Sequence, residues 1–257
     1  MHSSHKIKIV LFIALLLLAG CHKAVAAQPW GGVVSHHLLV GKHIDEFFSQ
    51  LKAEHDVETF IIICPSHYGL SVQPWSVADC SWKVDDAFVH TNLEKAQAVL
   101  NSLKVPFDPQ VFPIEHGASA LMPFIHKYFP KANVVVVAVH GEPPHNSLYN
   151  RALADAILPF FIKGENDKNF LLISSDFSHH GDIEKTKKRD ALSEIFLSEA
   201  APDKWVYCSC DNRPGMYLLS RMMTNDTESK ILCHTNSYDF SGEGKDDITS
   251  YFFVLFF

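Results

Sequence analysis

The chain has 257 residues, of which 47% are hydrophobic and 20% charged, and it carries a formal net charge of −7. This length supports one sizeable domain with its own core, and the hydrophobic content excludes an intrinsically disordered chain. Because residues 1–20 hold lysines but no acidic residue, the rest of the chain is more acidic still, which argues against nucleic acid as a partner.

Residues 1–27 are predicted to be a targeting segment rather than part of the fold. A start that contains two lysines precedes the apolar run Ile9–Leu18, and the run leads into the tetrapeptide Leu18-Ala19-Gly20-Cys21, a pattern typical of a bacterial lipoprotein signal. We therefore expect Cys21 to carry lipid and to tether the protein to a membrane, facing the periplasm or the cell exterior. The alternative is ordinary signal cleavage near Ala24-Val25-Ala26, which would release a soluble protein.

Residues 28–257 are predicted to form one α/β domain, because strand and helix patterns alternate along them. Predicted strands cover residues 32–35, 59–64, 133–139, 170–174, 229–237 and 250–257. Predicted helices cover residues 42–55, 92–103, 115–128 with a kink at Pro123, 149–162, 182–200 and 214–223. The alternation indicates a central, mostly parallel or mixed sheet with helices on both faces. The apolar strand 250–257 is expected to be buried on both faces.

Histidines follow several of the predicted strands. The apolar runs that lead into histidine are Gly32–Val34 before His36 and His37, Phe60–Cys64 before His67, Val134–Val139 before His140, and Phe170–Ile173 before Asp176, His179 and His180. In open α/β sheets, ligands bind beyond the carboxyl ends of the strands. Residues 174–181, predicted as a loop, are therefore the first place to look for chemistry. The alternative is that Asp176 caps the next helix and the histidines are solvated.

Several short motifs occur in a characteristic order. They are Pro65-Ser66-His67, Glu115-His116 with Met122-Pro123-Phe124, Ser174-Ser175-Asp176-Phe177-Ser178-His179, the Cys-x-x-x-Pro of Cys210 to Pro214, and Tyr238-Asp239-Phe240-Ser241-Gly242 ahead of Ser250-Tyr251. Together they resemble the Memo family, also called AmmeMemoRadiSam system protein B, from Gly32 to Phe257. This resemblance implies a fold similar to that of the class III extradiol dioxygenases, which hold non-haem iron.

The resemblance also implies a metal cleft. Carried over by position, the metal ligands are His36, His67 and Cys210. The family's Pro-His-Ala-Gly-Tyr reads Ser35-His36-His37-Leu38-Leu39 here, so His37 is an alternative to His36. Two imidazoles and a thiolate suit copper or iron, with zinc as a further candidate. For Cys210 the alternative is a disulfide, because five cysteines follow Cys21 and an exported protein meets an oxidising compartment.

Three further residues are expected to serve this cleft. His179 stands where the related dioxygenases place a general acid or base, and an imidazole titrates near neutrality. Asp176 is expected to orient an imidazole, and His116 to point into the same cleft. For Asp176 and His179, helix capping and a structural hydrogen bond are the respective alternatives.

Two functions remain open from the sequence. The first is an exported, Memo-like, metal-dependent redox enzyme of the dioxygenase or oxidase kind. The second is a non-catalytic, surface-tethered module that binds a small molecule, a peptide or a metal. Turnover with O₂ and a reductant would separate the enzyme from the binding module.

Overall fold

The computed structural model describes residues 27–70, 73–140, 147–161 and 168–257. The predicted lipoprotein signal, with Cys21 and the alternative cleavage site, lies outside the described residues. Within them, no helix combines the length and the apolar character that crossing a membrane requires.

A mixed sheet forms the centre of the fold. Its strands are β1 (Gly31–Val34), β2 (Thr59–Pro65), β3 (Trp75–Val77), β6 (Asn133–Val139), β7 (Asn169–Ser174), β8 (Phe177–Gly181), β9 (Ser229–Asn236) and β10 (Ile248–Phe256). The order is β3-β6-β2-β7-β1-β10-β8, and β9 pairs with β10. The four central strands β6, β2, β7 and β1 are parallel, whereas β3, β8, β9 and β10 pair antiparallel with their neighbours. The predicted mixed sheet, with residues 170–174 at its centre, is confirmed.

Helices cover both faces of this sheet. They are α1 (Gly41–Glu54), α2 (Leu93–Leu103), α3 (His116–Ser119), α4 (Met122–Tyr128), α5 (Ser147–Ile157), α6 (Ile183–Glu199), α7 (Arg213–Met222) and α8 (Ser237–Ser241). Strand side chains alternate between the faces. Ile61 and Ile63 therefore join a core with α2, α5 and α7, whereas Phe60 and Ile62 join a second core with α1 and α4. The predicted α/β class, with helices on both faces, is confirmed.

Close packing holds β1 between its neighbours. A Cβ atom on Gly32 would lie 2.7 Å from the carbonyl oxygen of Val254 in β10 and 2.8 Å from the ring of Phe47 in α1. Glycine therefore lets β10 and α1 approach the strand that ends at the predicted cleft. Strand β10 is buried over almost its whole length, as its apolar sequence predicts.

The main difference from prediction is that residues 177–181 form a strand rather than a loop. Strand β8 pairs antiparallel with β10, with an irregularity between Ile248 and Ser250. Ser178 and His180 have φ values of 42° and 56°, in the left-handed region that non-glycine residues seldom adopt. Hydrogen bonds hold this conformation: the Ser178 hydroxyl donates to Asp190 Oδ1 (2.5 Å), and its backbone N–H donates to the carbonyl of Ser209 (2.8 Å). This strained backbone fixes the direction of His179.

One further boundary differs from the sequence pattern. The predicted helix over 115–128 divides into α3 and α4, and Pro123 lies in the first turn of α4 rather than at a kink. Proline is favoured there because the first helical N–H groups need no intrahelical acceptor. The motif Tyr238-Asp239-Phe240-Ser241-Gly242 lies in the short helix α8 and ends at its C-cap, Gly242. Two further short strands, β4 (Trp82–Val84) and β5 (Ala87–Val89), pair as an antiparallel hairpin outside the main sheet.

Candidate functional site

The candidate site lies at the edge of the sheet where the parallel strands end. His36 follows β1, His67 follows β2 and Asp176 follows β7. In the ladder, Val34 pairs with Ser174, so the chain leaves β1 and β7 at the same level. Because neighbouring parallel strands end at one edge, the prediction that polar side chains converge there follows directly from the topology. Helix α3 and the segment before α7 close the cleft from the sides.

His36 is buried, with 3% of its surface exposed, and its orientation is fixed. The Ser174 hydroxyl donates its only hydrogen to the carbonyl of Gly117 (2.5 Å), so it must accept from the Nδ1–H of His36, 2.9 Å away. The lone pair of His36 Nε2 therefore faces the cleft. His37 instead points away and stacks on the ring of Tyr251. Of the two alternatives from the sequence, the structure places His36 in the cleft.

Glu115 holds His67 in the same way. Its carboxylate, 1% exposed, accepts the ring Nδ1–H of His67 (2.6 Å) and the backbone N–H groups of His67 and Gly117 (2.8 Å each). His67 Nε2 is thereby directed into the cleft. The ring of His116 stacks on that of His67 with centroids 4.1 Å apart. Ligand nitrogens of His36, His67 and His116 all lie within 4.8 Å of one another.

Asp211, which precedes α7, is the acidic centre of the cleft. Its Oδ2 lies 3.4 Å from His36 Nε2, 3.7 Å from His67 Nε2 and 3.6 Å from His179 Nε2. Its Oδ1 accepts from the Ser175 hydroxyl (2.9 Å) and from the backbone N–H of Asp176 (3.0 Å). One carboxylate oxygen is thus fixed by hydrogen bonds, and the other faces three imidazole nitrogens.

Asp176 is a second carboxylate beside His36. Its Oδ2 is 3.7 Å from His36 Nε2, and its Oδ1 accepts from the Ser35 hydroxyl (2.6 Å). The side chain that caps α6 is Asp182, which accepts from the N–H of Lys185. Asp176 therefore belongs to the cleft and is not the cap of the following helix.

The separations around Asp211 fit a metal ion. Among the described residues, Asp211 Oδ2 and His179 Nε2 are buried and have no hydrogen-bond partner. Distances of 3.4 to 3.7 Å are too long for good hydrogen bonds. They are close to the separation of about 3.4 Å that two ligand atoms have on a tetrahedral ion with bonds of about 2.1 Å. Imidazole nitrogens and carboxylate oxygens are also a suitable donor set for zinc or iron.

Burial and the charges in the cleft raise the pKa of some of its histidines and lower that of another. Burial lowers the pKa of His67, but the carboxylates of Asp211 and Glu115 outweigh it and raise that pKa to about 9. Asp211 also raises the pKa of His179, against the effect of burial. Burial, followed by the charges of His67 and His36, lowers the pKa of His116. Without a metal, the His67 ring is therefore protonated on both nitrogens and positively charged at neutral pH, while the His116 ring is uncharged.

Cys210 does not join these groups. Its side chain packs against the core that includes α7, and its backbone forms a bridge with Phe177. Burial first and the Asp211 charge second raise the pKa of the Cys210 thiol to about 12. All five described cysteines, at positions 64, 80, 208, 210 and 233, are free thiols. The structure thus brings together His36 and His67 of the predicted ligands, and it does not bring Cys210 to them.

Sequence reasoning missed the parts played by Asp211, Glu115 and Ser174. Asp211 stands where the family pattern has glycine, so a new carboxylate in that segment was the available signal. Glu115 was noted only as the neighbour of His116. Nothing in the local sequence distinguishes Ser174 from Ser175, since their partners come from distant segments. The predicted residues Asp176, His116 and His179 all reach the cleft.

Comparisons with known proteins identify the family and the fold of this chain. The family model described as Memo-like protein matches residues 33–251. A MEMO1 family protein of Pyrobaculum aerophilum is 27% identical over 91% of this chain and 85% of its own length. A MEMO1 family protein of Methanosarcina mazei is 26% identical over 88% and 85%. The fold is similar to the crystal structure of an uncharacterized protein from Escherichia coli K12, with a TM-score of 0.58, 11% identity, and coverage of 89% of this chain and 99% of that one.

Proposed function

Because the chain belongs to the Memo-like protein family, as its motifs predicted, we propose that the cleft binds a transition metal ion and supports metal-dependent redox chemistry. The observation that carries this proposal is the convergence of three imidazole nitrogens on the unpartnered Oδ2 of Asp211. Iron and copper are the proposed ions, with zinc as a further candidate.

The protein would hold such an ion through His36 and His67. Their Nδ1–H groups are already committed to Ser174 and Glu115, so both Nε2 atoms are directed at the metal position, and His67 Nε2 becomes a ligand once its proton has left. Partners of this kind fix the tautomer and raise the basicity of a ligand histidine. A bound iron or copper ion would supply electron-transfer and O₂ chemistry at the cleft.

His179 and His116 are the proposed proton carriers. His179 lies beside Asp211, which raises its pKa and so favours the protonated, donor form. The pKa of His116 is lowered, so its ring can accept a proton near neutrality, and the Tyr68 hydroxyl lies 3.4 Å from its Nδ1. Asp176 Oδ2 lies 3.7 Å from His36 Nε2, so it would stand beside the bound ion and add negative charge to the cleft. These assignments give the cleft one donor and one acceptor of protons.

Replacing His67 tests the proposal directly. The full chain is purified anaerobically in mild detergent, and its metal content is compared with that of His67→Ala. We expect close to one equivalent of metal in the original protein and almost complete loss in the variant, because one of two preorganised nitrogens is gone. The far-UV spectrum should not change, since His67 lies in the turn after β2 and belongs to neither a helix nor a strand.

His37→Ala is the matched control. This neighbouring histidine stacks on Tyr251 and does not belong to the cluster of ligand nitrogens among the described residues, so its loss should leave the metal content unchanged. Full retention of metal by His67→Ala would contradict the proposal.

A non-catalytic binding module is the second candidate, and exposed apolar side chains near the cleft favour it. Leu38 is 63% exposed after β1, and Tyr68 and Leu70 are 53% and 43% exposed after β2. Such a rim suits a small-molecule or peptide ligand. Sustained O₂ consumption with a reductant, lost in His67→Ala, would support the enzyme. Ligand binding without turnover would support the module.

We also propose that lipid on Cys21 anchors the protein to a membrane, with the domain on the periplasmic or outer side. The support is the apolar run that leads into Leu18-Ala19-Gly20-Cys21. Cys21→Ser should prevent lipid attachment and leave an unprocessed precursor, detectable by mass spectrometry and by loss of fatty-acid labelling. Absence of labelling in the unmodified protein would contradict the anchor and would favour ordinary cleavage near Ala26.

A further inference from the structure

We propose that Asp211, rather than Cys210, is the third protein ligand of this cleft, so that two imidazoles and one carboxylate hold the ion. The inference rests on the proposed function, since it concerns the same site. It differs from what the family resemblance implies, which assigns that place to the thiol of Cys210.

The Asp211 carboxylate is built into the site by several contacts. The Ser175 hydroxyl and the backbone N–H of Asp176 both donate to its Oδ1. The backbone N–H of Asp211 donates in turn to the carbonyl of Asp176 (3.1 Å). These hydrogen bonds attach both the backbone and the side chain of Asp211 to the connection between β7 and β8. They hold the carboxylate in one orientation, in which Oδ2 points at the Nε2 atoms of His36 and His67.

The backbone keeps Cys210 on the other side. Residues 209–211 run alongside β8: Cys210 bridges Phe177, and the carbonyl of Ser209 accepts from Ser178. Successive side chains of an extended segment point in opposite directions. With Asp211 facing the cleft, Cys210 lies on the opposite side of the segment, where its side chain packs against the core and the Ser175 hydroxyl.

Asn212 prevents this segment from turning over. Its side chain is fully buried, and its amide donates to the carbonyls of Ile63 (2.8 Å) and Ser174 (2.9 Å) at the ends of β2 and β7. Its Oδ1 accepts from the N–H of Gly215 and caps α7. Rotating Cys210 into the cleft would break these bonds and leave buried polar groups unpaired.

The ligand change alters which metal the cleft prefers. A thiolate favours soft ions such as copper(I), whereas a carboxylate with two imidazoles favours iron(II) and similar ions. Two histidines and one carboxylate also leave coordination positions open, which is the arrangement of non-haem iron(II) oxygenases. For this chain we therefore expect iron(II) to be bound in preference to copper(I).

Two matched variants and one spectrum test the inference. The full chain, Asp211→Asn and Cys210→Ser are titrated anaerobically with iron(II). Asp211→Asn keeps the acceptor for Ser175 but loses the charge, and we expect its affinity to fall by at least about 100-fold, more than a change outside the ligand set causes. Cys210→Ser should lose much less affinity than Asp211→Asn, because the Cys210 side chain packs against the core and does not touch the ion. Cobalt(II) bound to the unmodified protein should show no thiolate-to-cobalt charge-transfer band.

The spectrum decides the matter even if Asp211→Asn folds poorly. A charge-transfer band that disappears in Cys210→Ser, together with loss of iron in that variant, would overturn the inference and leave the proposed metal site standing. Failure of the unmodified protein to bind iron(II), cobalt(II) or copper(I) would instead overturn the proposed function, and this inference with it.

Discussion

Between pH 6.5 and 9, the metal-free protein is expected to lose stability while its affinity for a metal rises. The cause is His67, whose pKa is raised to about 9 in the fold by the carboxylates of Asp211 and Glu115, against the effect of burial. In the unfolded chain its pKa returns to about 6.5. Because the folded pKa is the higher one, the stabilisation is complete below pH 6.5 and is lost as the pH rises through about 9.

The expected loss of folding free energy is modest. The full shift would correspond to about 3 kcal/mol, but solvent screens a side chain that keeps 22% of its surface exposed, so we expect about 1–2 kcal/mol. Among the described residues, the titratable side chains that face the ring include Glu115, Asp211, His36, His116 and Tyr68. Denaturant unfolding of the metal-free protein at several pH values measures the effect, and subtracting the same curve for His67→Ala isolates the contribution of this ring.

Metal affinity should change in the opposite direction and by more. A metal can bind His67 Nε2 only after the proton has left, so each pH unit below 9 lowers the apparent affinity about tenfold. Between pH 9 and 6.5 the expected decrease is about 300-fold from this one proton. Competition against a chelator of known affinity measures it. An affinity that stays constant from pH 6.5 to 8.5 would mean that His67 is not a ligand.

The sequence predicted the centre of the fold because that part depends on local patterns. Apolar runs such as Ile61–Ile63 and Val134–Val137 identify buried parallel strands without knowledge of the partners. Ligand sites in open α/β sheets lie beyond the carboxyl ends of the strands, and this generalisation predicts His36, His67 and Asp176 at one edge, where the structure has them. Both results need only the order of elements along the chain.

Strand β8 could not be predicted in this way. Its residues Ser178, His179 and His180 are polar, and two of them have left-handed backbone conformations that no strand pattern contains. They are held by Asp190 in α6 and by pairing with β10, both far along the chain. Tertiary contacts therefore decide the structure of this segment, and with it the direction of His179.

The positions of Cys210 and Asp211 show a second limit. A family resemblance transfers a position in the sequence, but it does not transfer the direction of a side chain. That direction depends here on Asn212, which bonds the carbonyls of Ile63 and Ser174. The nearer of these two residues is 38 positions away in sequence, so the local motif contains no information about them.

Glu115→Gln should destabilise the fold and weaken metal binding together. The Glu115 carboxylate accepts three hydrogen bonds. The donors are the ring Nδ1–H and the backbone N–H of His67, and the N–H of Gly117. A glutamine must place its amide group, itself a donor, against at least one of them. In a site that is 1% exposed, the resulting unpaired donors cost about 2–4 kcal/mol in the free energy of unfolding.

The same substitution releases His67 Nδ1 from its fixed partner. Loss of such a partner lowers metal affinity by about 10- to 100-fold, because the ring is no longer held in one tautomer and orientation. Unfolding curves and chelator competition on one preparation measure both effects.

Glu46→Gln is the matched control for this prediction, since Glu46 pairs with His43 on the exposed surface of α1. It should change the free energy of unfolding by less than about 0.5 kcal/mol and leave metal binding intact, as expected for an exposed ion pair. If Glu115→Gln kept the stability and the affinity of the original protein, the carboxylate would not be what orients His67. The coordination proposed for this cleft would then lack its main support outside the ligands themselves.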